Sequence, residues 1–491
     1  MKKTEYTPTI GLEIHAELKT KTKMFCECLN DTDEKRPNIN ICPVCLGHPG
    51  TLPVINKKAV KHVLKVGLSV GGKIADFSEF DRKNYFYPDI PKGYQISQYK
   101  YPLVSGGELL GVKITRIHLE EDTARSSHES RSTESEGNRN SDTETHDSSL
   151  LDFNRAGVPL MELVTEPVIH SSGEVVKFGE ELQLLLRYLE VAEANMEKGE
   201  MRLEVNISIL RSDLEKSPKD QILGTKVEVK NLNSFRSAEK AIEYEIKRQT
   251  ELLEKGGKIT QETRGWDDKK QITFSQRSKE DSHDYRYFPD PDLPRLKLSE
   301  LSDFNEEALC RELKETPNEK RERLKRNYGI KESDIDFYIS NVPLGKLFEE
   351  AALSIPEEKD FQLLSNYVVS DIASLGKQGL KVKSKHLSSL ILMFIRGEVS
   401  SRGAKDILAK MAENGKDPKI IAEEEGLFQK SNEEELIKVV NKIMSENATA
   451  VSEYKNGKTS ALQFLVGQGM KATGGSANPQ ILRAIFEKLI V

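Results

Sequence analysis

Four of the five cysteines in this 491-residue chain fall in two knuckles, "CEC" (Cys26, Cys28) and "CPVC" (Cys42, Cys45); Cys310 stands apart. Cys-x-Cys and Cys-x-x-Cys pairs this close can surround zinc tetrahedrally, with no position left open, so such a site is structural rather than catalytic. Four free thiols buried in a core is the other reading, and the paired knuckle spacing weighs against it. Just upstream, "TIGLEIHAELKT" alternates Ile10, Leu12, Ile14, Ala16 and Leu18 with Glu13, His15 and Glu17. The period of two predicts a half-buried strand with two carboxylates flanking an imidazole on its polar face. "RIHLEEDTAR" ends a second expected strand on Glu120, Glu121 and Asp122. Joined to Glu13 and Glu17, these carboxylates would suit Mg2+, a hard cation that takes oxygen ligands. His15 would then hydrogen-bond a metal-bound water or act as a base. A solvated strand face and an acidic surface turn are the plain alternatives.

Further on, "FDRKNYFYPDIPKGYQISQY" interleaves Arg82, Lys83 and Lys92 with Tyr85, Phe86, Tyr87 and Tyr94. Such a mixture suits stacking on a base with charge on phosphate, or a tyrosine-rich loop packed on its own core. "MRLEVNISIL" places Arg202, Glu204, Asn206 and Ser208 on one strand face, and "TKVEVKNLNS" does the same for Lys226, Glu228 and Lys230. "SHDYRYFPDPDLP" adds Asp284 and Arg286 in a Pro-bounded stretch, a site wall or a linker. No Walker A loop, dinucleotide fingerprint or nucleophile elbow occurs, and "TGGSANP" reads as a turn between helices.

The elements that must carry these residues divide the chain. Residues 1–294 read as mixed strand and helix, including "NKKAVKHVLKVGLSVGG", "EVVKFGEELQLLLRYLEVAEA" and "SFRSAEKAIEYEIKRQTELLEKGG", the last capped by Ser234 and stopped at Gly256. Within them, 126–149 contains no apolar residue and is expected to be a mobile polar insertion. After the Pro-rich exit near 295 the pattern becomes helical, with one unit at 295–395 and a tail at 396–491. The class is therefore α+β followed by helical domains. Net charge is −6, which argues against bulk electrostatic binding of nucleic acid and leaves room for a local basic stripe. With no apolar run long enough to span a membrane and no signal-like start, the cytoplasm is the expected location.

Taken in order, "IGLEIHAELKTKTKMFC", "FDRKNYFYPDIPKGYQISQ", "IHLEED", "LLDFNRAGVPLMELVTEP", "GTKVEVKNLNSF", "HDYRYFPDPDLP", "EYKNGKTSALQFLVGQGMKAT" and "ANPQ" resemble the signature series of the B-type subunits of aspartyl/glutamyl-tRNA(Asn/Gln) amidotransferase. An archaeal paralogue with the early motifs carries a large extra domain for which this chain has no room. The resemblance implies a cradle-like catalytic domain holding the zinc knot (26–45), then a helical domain and a tRNA-gripping tail. It implies ATP-dependent phosphorylation of the side-chain carboxylate of Glu-tRNA(Gln) or Asp-tRNA(Asn), followed by displacement of phosphate by ammonia. The ammonia comes from glutamine at an A-type amidase subunit, and a small C-type subunit completes the heterotrimer.

By motif match, Glu13, His15, Glu121 and Lys83 correspond to the family's active site, with Glu13, His15, Glu120 and Glu121 as the implied Mg2+ set. Cys26, Cys28, Cys42 and Cys45 correspond to its zinc knot. Arg82, Tyr85, Glu204, Lys226, Lys230 and Arg286 are candidates for contacting substrate or phosphate. The chain departs from the family at "MRLEVNISIL", usually MRCDANISLR, and at "EEDTAR", usually EEDAGK, which puts Glu204 and Arg125 where Asp and Lys are usual. A zinc-containing tRNA-binding protein without catalysis is the rival reading, and a metallohydrolase built on the same residues is a third.

Overall fold

The computed structural model describes residues 6–129, 148–211, 223–278, 284–429, 433–473 and 477–490. Its chain divides into two compact units, Met1–Pro317 and Asn318–Val491.

The first unit is built on a ten-stranded sheet. In chain order its main strands are β1 (Tyr6–Glu17), β2 (Lys73–Ile74), β3 (Val104–Ser105), β4 (Val112–Glu121), β5 (Pro159–Thr165), β6 (Met201–Arg211), β7 (Val227–Leu232), β8 (Glu262–Asp267) and β9 (Ile272–Ser278). They lie side by side as β9-β8-β7-β6-β1-β5-β4-β3-β2, with the short strand Glu108–Leu109 pairing β4 off that path. β7 and β8 pair in parallel, while β1 is antiparallel to both of its neighbours. The alternation read in "TIGLEIHAELKT" puts β1 at the centre, with Ile10, Leu12, Ile14 and Ala16 fully buried beneath it.

Three helices join that apolar face in one core: α1 (Lys57–Ser69), α2 (Ser172–Tyr188) and α3 (Phe235–Glu254). Their ends follow local chemistry. The Asn56 side chain accepts from the N–H groups of Lys58 and Ala59 to start α1, and Ser171 and Ser234 do the same at Glu174 and Ser237 for α2 and α3. Gly256, with φ +74°, follows the end of α3 as expected.

Gly67, inside α1, lets the helix approach β3, since a Cβ there would sit 2.5 Å from one γ-carbon of buried Val104 and 2.8 Å from the other. Gly67→Val should therefore destabilise the first unit by about 1–3 kcal/mol through overpacking, measured as the shift of its unfolding midpoint in denaturant.

With helices on one face, the other face of the sheet is left polar, and smaller elements wall it. Strand Asp81–Asn84 pairs with both Tyr94–Ser97 and Phe288–Pro289, so the two aromatic-rich motifs meet although far apart in sequence. Of the polar insertion, 130–147 lies outside the described residues; its two ends pair as Arg125–Glu129 and Ser148–Asp152.

The second unit is a succession of helices running from Pro317–Tyr328 to Pro479–Ile490, in keeping with the helical pattern read there. Residues 474–476 of the "TGGSANP" turn fall outside the described set, between helices ending at Ala472 and beginning at Pro479. Among the described residues no helix is long and apolar enough to cross a membrane.

Candidate active site

Register decides which polar side chains meet on the open face. His15 lies opposite Glu162 of β5 on one side and Arg202 of β6 on the other, and Glu162 in turn lies opposite His118 of β4. Glu13 lies opposite Glu204, one pleat further along. The result is a row, His118–Glu162–His15–Arg202, next to a second pair of carboxylates.

His15 Nε2 sits 3.5 Å from Glu162, 3.6 Å from Glu120 and 3.8 Å from Glu13, and His118 Nε2 sits 3.2 Å from Glu162. On β7, Lys230 reaches Glu204 at 2.9 Å and Glu228 at 3.5 Å. Lys83 lies over the rings of Tyr85 and Tyr285, at 5.8 and 5.1 Å.

The groups hold one another's protons. Burial works against a charged His15, but the Glu162 hydrogen bond and the charges of Glu120, Glu162 and Glu13 outweigh it and lift the imidazole to about 9. Burial first, then Glu162 and Glu204, raises Glu13 to about 7. Glu162 goes down despite burial, because His118 and His15 both face it. Burial opposes a charged Lys83, yet Glu120 and its neighbours keep its affinity for the proton above the usual lysine range.

Three sets of ligand atoms on this face each lie within 4.8 Å of one another: Glu13–His15–Glu162, His118–Glu120–Glu162 and Glu13–Glu204–Glu228. Mostly carboxylate, with one imidazole apiece in the first two, they suit a hard divalent cation that retains water. The buried Nδ1 atoms of His15 and His118 have no hydrogen-bond partner among the described residues.

The cysteines behave as one group as well. The four sulfurs of Cys26, Cys28, Cys42 and Cys45 lie within 4.8 Å of one another, and this donor set fits zinc. The Cys26 thiol hydrogen-bonds Cys45, which holds Cys45 down at about 5 and drives Cys26 up. Asn154 secures the knot from outside, accepting from the N–H groups of Ile39 and Asn40 and donating to the Arg36 carbonyl.

A match to the family model described as "GatB/GatE catalytic domain" covers residues 8–302 and so takes in the whole of this face, while one described as "GatB domain" covers 346–490. The chain belongs to the GatB/GatE family. It is 42% identical to a protein of Thermoanaerobacter pseudethanolicus and 43% identical to proteins of Thermotoga maritima and Dehalococcoides mccartyi, with 99% of each chain covered. All three are named as the B-type subunit of aspartyl/glutamyl-tRNA(Asn/Gln) amidotransferase.

In this GatB/GatE chain the residues singled out from sequence separate into groups. Glu13, His15, Glu120 and Glu204 come together, with Lys83 and Lys230 facing them. Glu121, expected beside Glu13 and His15, is on the opposite side of the β4 pleat. There it accepts from Lys92 Nζ at 2.6 Å and from the Ile96 N–H at 2.9 Å, and it lines a cavity of about 190 Å3 shared with Cys26 and Cys45.

Glu17, expected in the carboxylate cluster, is held by Arg155 at 2.5 Å, and Asp122 takes both Arg155 and Arg202. Arg82 is committed to Asp290 and Asp292 and stacks over Tyr94. Tyr85 packs edge-on against Tyr285 near Lys83. Lys226 is exposed just before β7, and Arg286 is exposed with φ +44°.

Two members of this polar cluster, Glu162 and His118, escaped the sequence reading. The signal was there: Glu162 is the lone charge in the otherwise apolar or neutral "PLMELVT", and His118 shares the period-two face of Glu120. Neither points to the site until the strands are paired.

The shifted groups set a pH dependence. Folded, Glu13 and Glu17 keep their protons up to about pH 7 rather than the usual 4.5, and His15 keeps its proton up to about 9 rather than 6.5. At these three groups the folded state binds more protons than the unfolded one across those windows. Their stabilising contribution is therefore complete below about pH 4.5, and it is lost as pH rises through 7 and then 9. A divalent cation held by Glu13 and His15 would compete with their protons. The gain in melting temperature on adding Mg2+ should be small near pH 6 and large near pH 8, checked by thermal melts of the metal-stripped chain; equal gains at both would exclude this proton competition.

Proposed function

We propose that this chain is the subunit of a tRNA-dependent amidotransferase that converts misacylated Glu-tRNA(Gln), Asp-tRNA(Asn) or both into the correct amides, a carbon–nitrogen ligase with glutamine as nitrogen donor. The observation that carries this reading is the identity of 42–43% across 99% of each chain with relatives named for that activity.

The chemistry required suits the polar face. A carboxylate is a poor acyl donor at neutral pH, so ATP first phosphorylates it. The attacking oxygen and the transferred phosphoryl group are both anionic, and catalysis is chiefly a matter of positioning and charge neutralisation. Bound Mg2+ would supply charge neutralisation on phosphate oxygens. Glu13, His15, Glu120 and Glu162 would hold it, with Glu204 and Glu228 beside them. Lys83 supplies a fixed positive charge above Glu120. Zinc on the four cysteines keeps the 26–45 loop in place and takes no part in the chemistry.

As partners we propose an A-type amidase subunit, a small C-type subunit that completes the heterotrimer, and the misacylated tRNA, in the cytoplasm. Residues 1–294 would form the catalytic cradle, 295–395 a helical domain and 396–491 the tail that grips tRNA by shape and backbone. Glu121 beside Lys92 stays in the proposed active site, on its cysteine-knot side. Arg82, Tyr85, Glu204, Lys226, Lys230 and Arg286 stay as candidates for contacting substrate.

The test is amidation of both misacylated tRNAs by the reconstituted heterotrimer. Strict dependence on ATP and Mg2+ is expected. ATP-independent turnover would favour a metallohydrolase, and tRNA binding with no amide formed would favour a non-catalytic binding protein.

A further inference from the structure

On the polar face, β6 turns Met201, Leu203 and Val205 into the core, so Arg202 and Glu204 share the side of His15 and Glu13. Arg202 is His15's direct neighbour across the sheet. One end of it is anchored, since a terminal N–H donates to Asp122 Oδ2 at 2.5 Å. Asp122 is itself buried, taking Arg155 on the same oxygen and the Thr123 N–H on the other.

Arg155 is tied on two of its nitrogens, with bonds to Asp122, Glu17 and the Gly199 carbonyl. Arg202 is tied on one. A guanidinium has five N–H donors, and the bond to Asp122 is the single one Arg202 makes among the described residues. Its side chain is 41% exposed, against 15% for Arg155. Of the other cations at this face, Lys230 is committed to Glu204 and Glu228 and Arg116 reaches Glu162, while Lys83 lies over the rings of Tyr85 and Tyr285.

We propose that Arg202 binds an anionic oxygen of the reactants, either the side-chain carboxylate of the misacylated residue or the phosphoryl group passed to it, and holds it beside His15. This assignment rests on the transamidation reading above. Glu13, Glu120, Glu162 and Glu204 crowd the face with negative charge, so two anionic reactants meeting there need cationic donors. A guanidinium clamped along one edge by a buried carboxylate presents the rest of its fork already oriented. That reduces the ordering cost of binding. Asp122 and Arg155 act as positioning residues for it.

The test uses the whole heterotrimer with Arg202→Ala and Arg202→Lys, measuring kcat and KM for ATP and for misacylated tRNA. Removal of a charged hydrogen bond predicts a loss of about tenfold to a hundredfold in kcat/KM for Arg202→Ala. Arg202→Lys, which keeps the charge but not the fork, should fall between that variant and wild type. Added guanidinium ion should restore part of the Arg202→Ala loss. A raised KM for ATP identifies the phosphoryl group as the ligand; a raised KM for the tRNA, with that for ATP unchanged, identifies the carboxylate.

Wild-type kinetics in both variants would overturn the proposal. So would a loss that guanidinium does not relieve and that follows a fallen melting temperature, the mark of a purely structural tie to Asp122. Failure of the wild-type complex to amidate either tRNA is a separate result, which would remove the functional reading and this assignment with it.

Discussion

Replacing His15 by alanine, or Glu13 by glutamine, should lower ATP-dependent amidation by about 10^2–10^4-fold, while the release of ammonia from glutamine by the amidase partner continues. The magnitude is that of losing a positioned acid–base or charge-stabilising group. Geometry singles out these two. His15 is the cation that faces Glu13, Glu120 and Glu162 at 3.5–3.8 Å. Glu13 belongs to two of the three candidate ligand sets on the face. Without His15 three carboxylates are left crowded; without Glu13 both sets lose a ligand. Each variant should also weaken Mg2+ binding, measurable by calorimetry apart from turnover. Wild-type rates in both would remove this face from the mechanism.

The second large effect concerns the cysteines. Purified protein should carry about one equivalent of zinc, and Cys45→Ser should lose most of it, because three remaining sulfurs cannot close the tetrahedron. Structural zinc is worth about 10–16 kcal/mol in small zinc-finger peptides. The loss here should be smaller, since the loop has other ties. The fully buried Lys23 donates to the Asn40 and Phe153 carbonyls at 2.7 and 3.2 Å, and Asn154 holds residues 36, 39 and 40. A lower melting temperature with the main sheet retained by circular dichroism is the expected outcome. Exposed Cys310 supplies the internal control, and Cys310→Ser should change neither reading. Less than about half an equivalent of zinc in the wild type would contradict a closed site.

Both sets of variants target features visible in the sequence, and the reason is locality. Cysteine knuckles are defined by spacing along the chain, and a strand's polar face by its alternation. Helix ends such as Ser234 and Gly256 are set within a turn or two of themselves. For these the chain's own order was enough. It was also enough, through the motif series, to point to the family.

The composition of the site lay beyond that horizon. Glu120 and Glu121 are adjacent in sequence and nearly alike in chemistry. The pleat of β4 sends Glu120 to His15 and Glu121 to Lys92 and the cysteine-knot cavity. Glu162 and His118 join His15 only through the pairing of β1 with β5 and of β5 with β4. Glu17 leaves the cluster because Arg155, from a distant loop, claims it.

By itself, then, the sequence determined the α+β class, the cysteine knot, the central strand and the face that strand offers. Tertiary structure alone decided which carboxylates share that face, which are neutralised by arginine and that Arg202 keeps open donors beside them. Strand register is a long-range property, set when apolar faces from separate segments are buried together, and a shift of one residue would turn every one of these side chains to the other side.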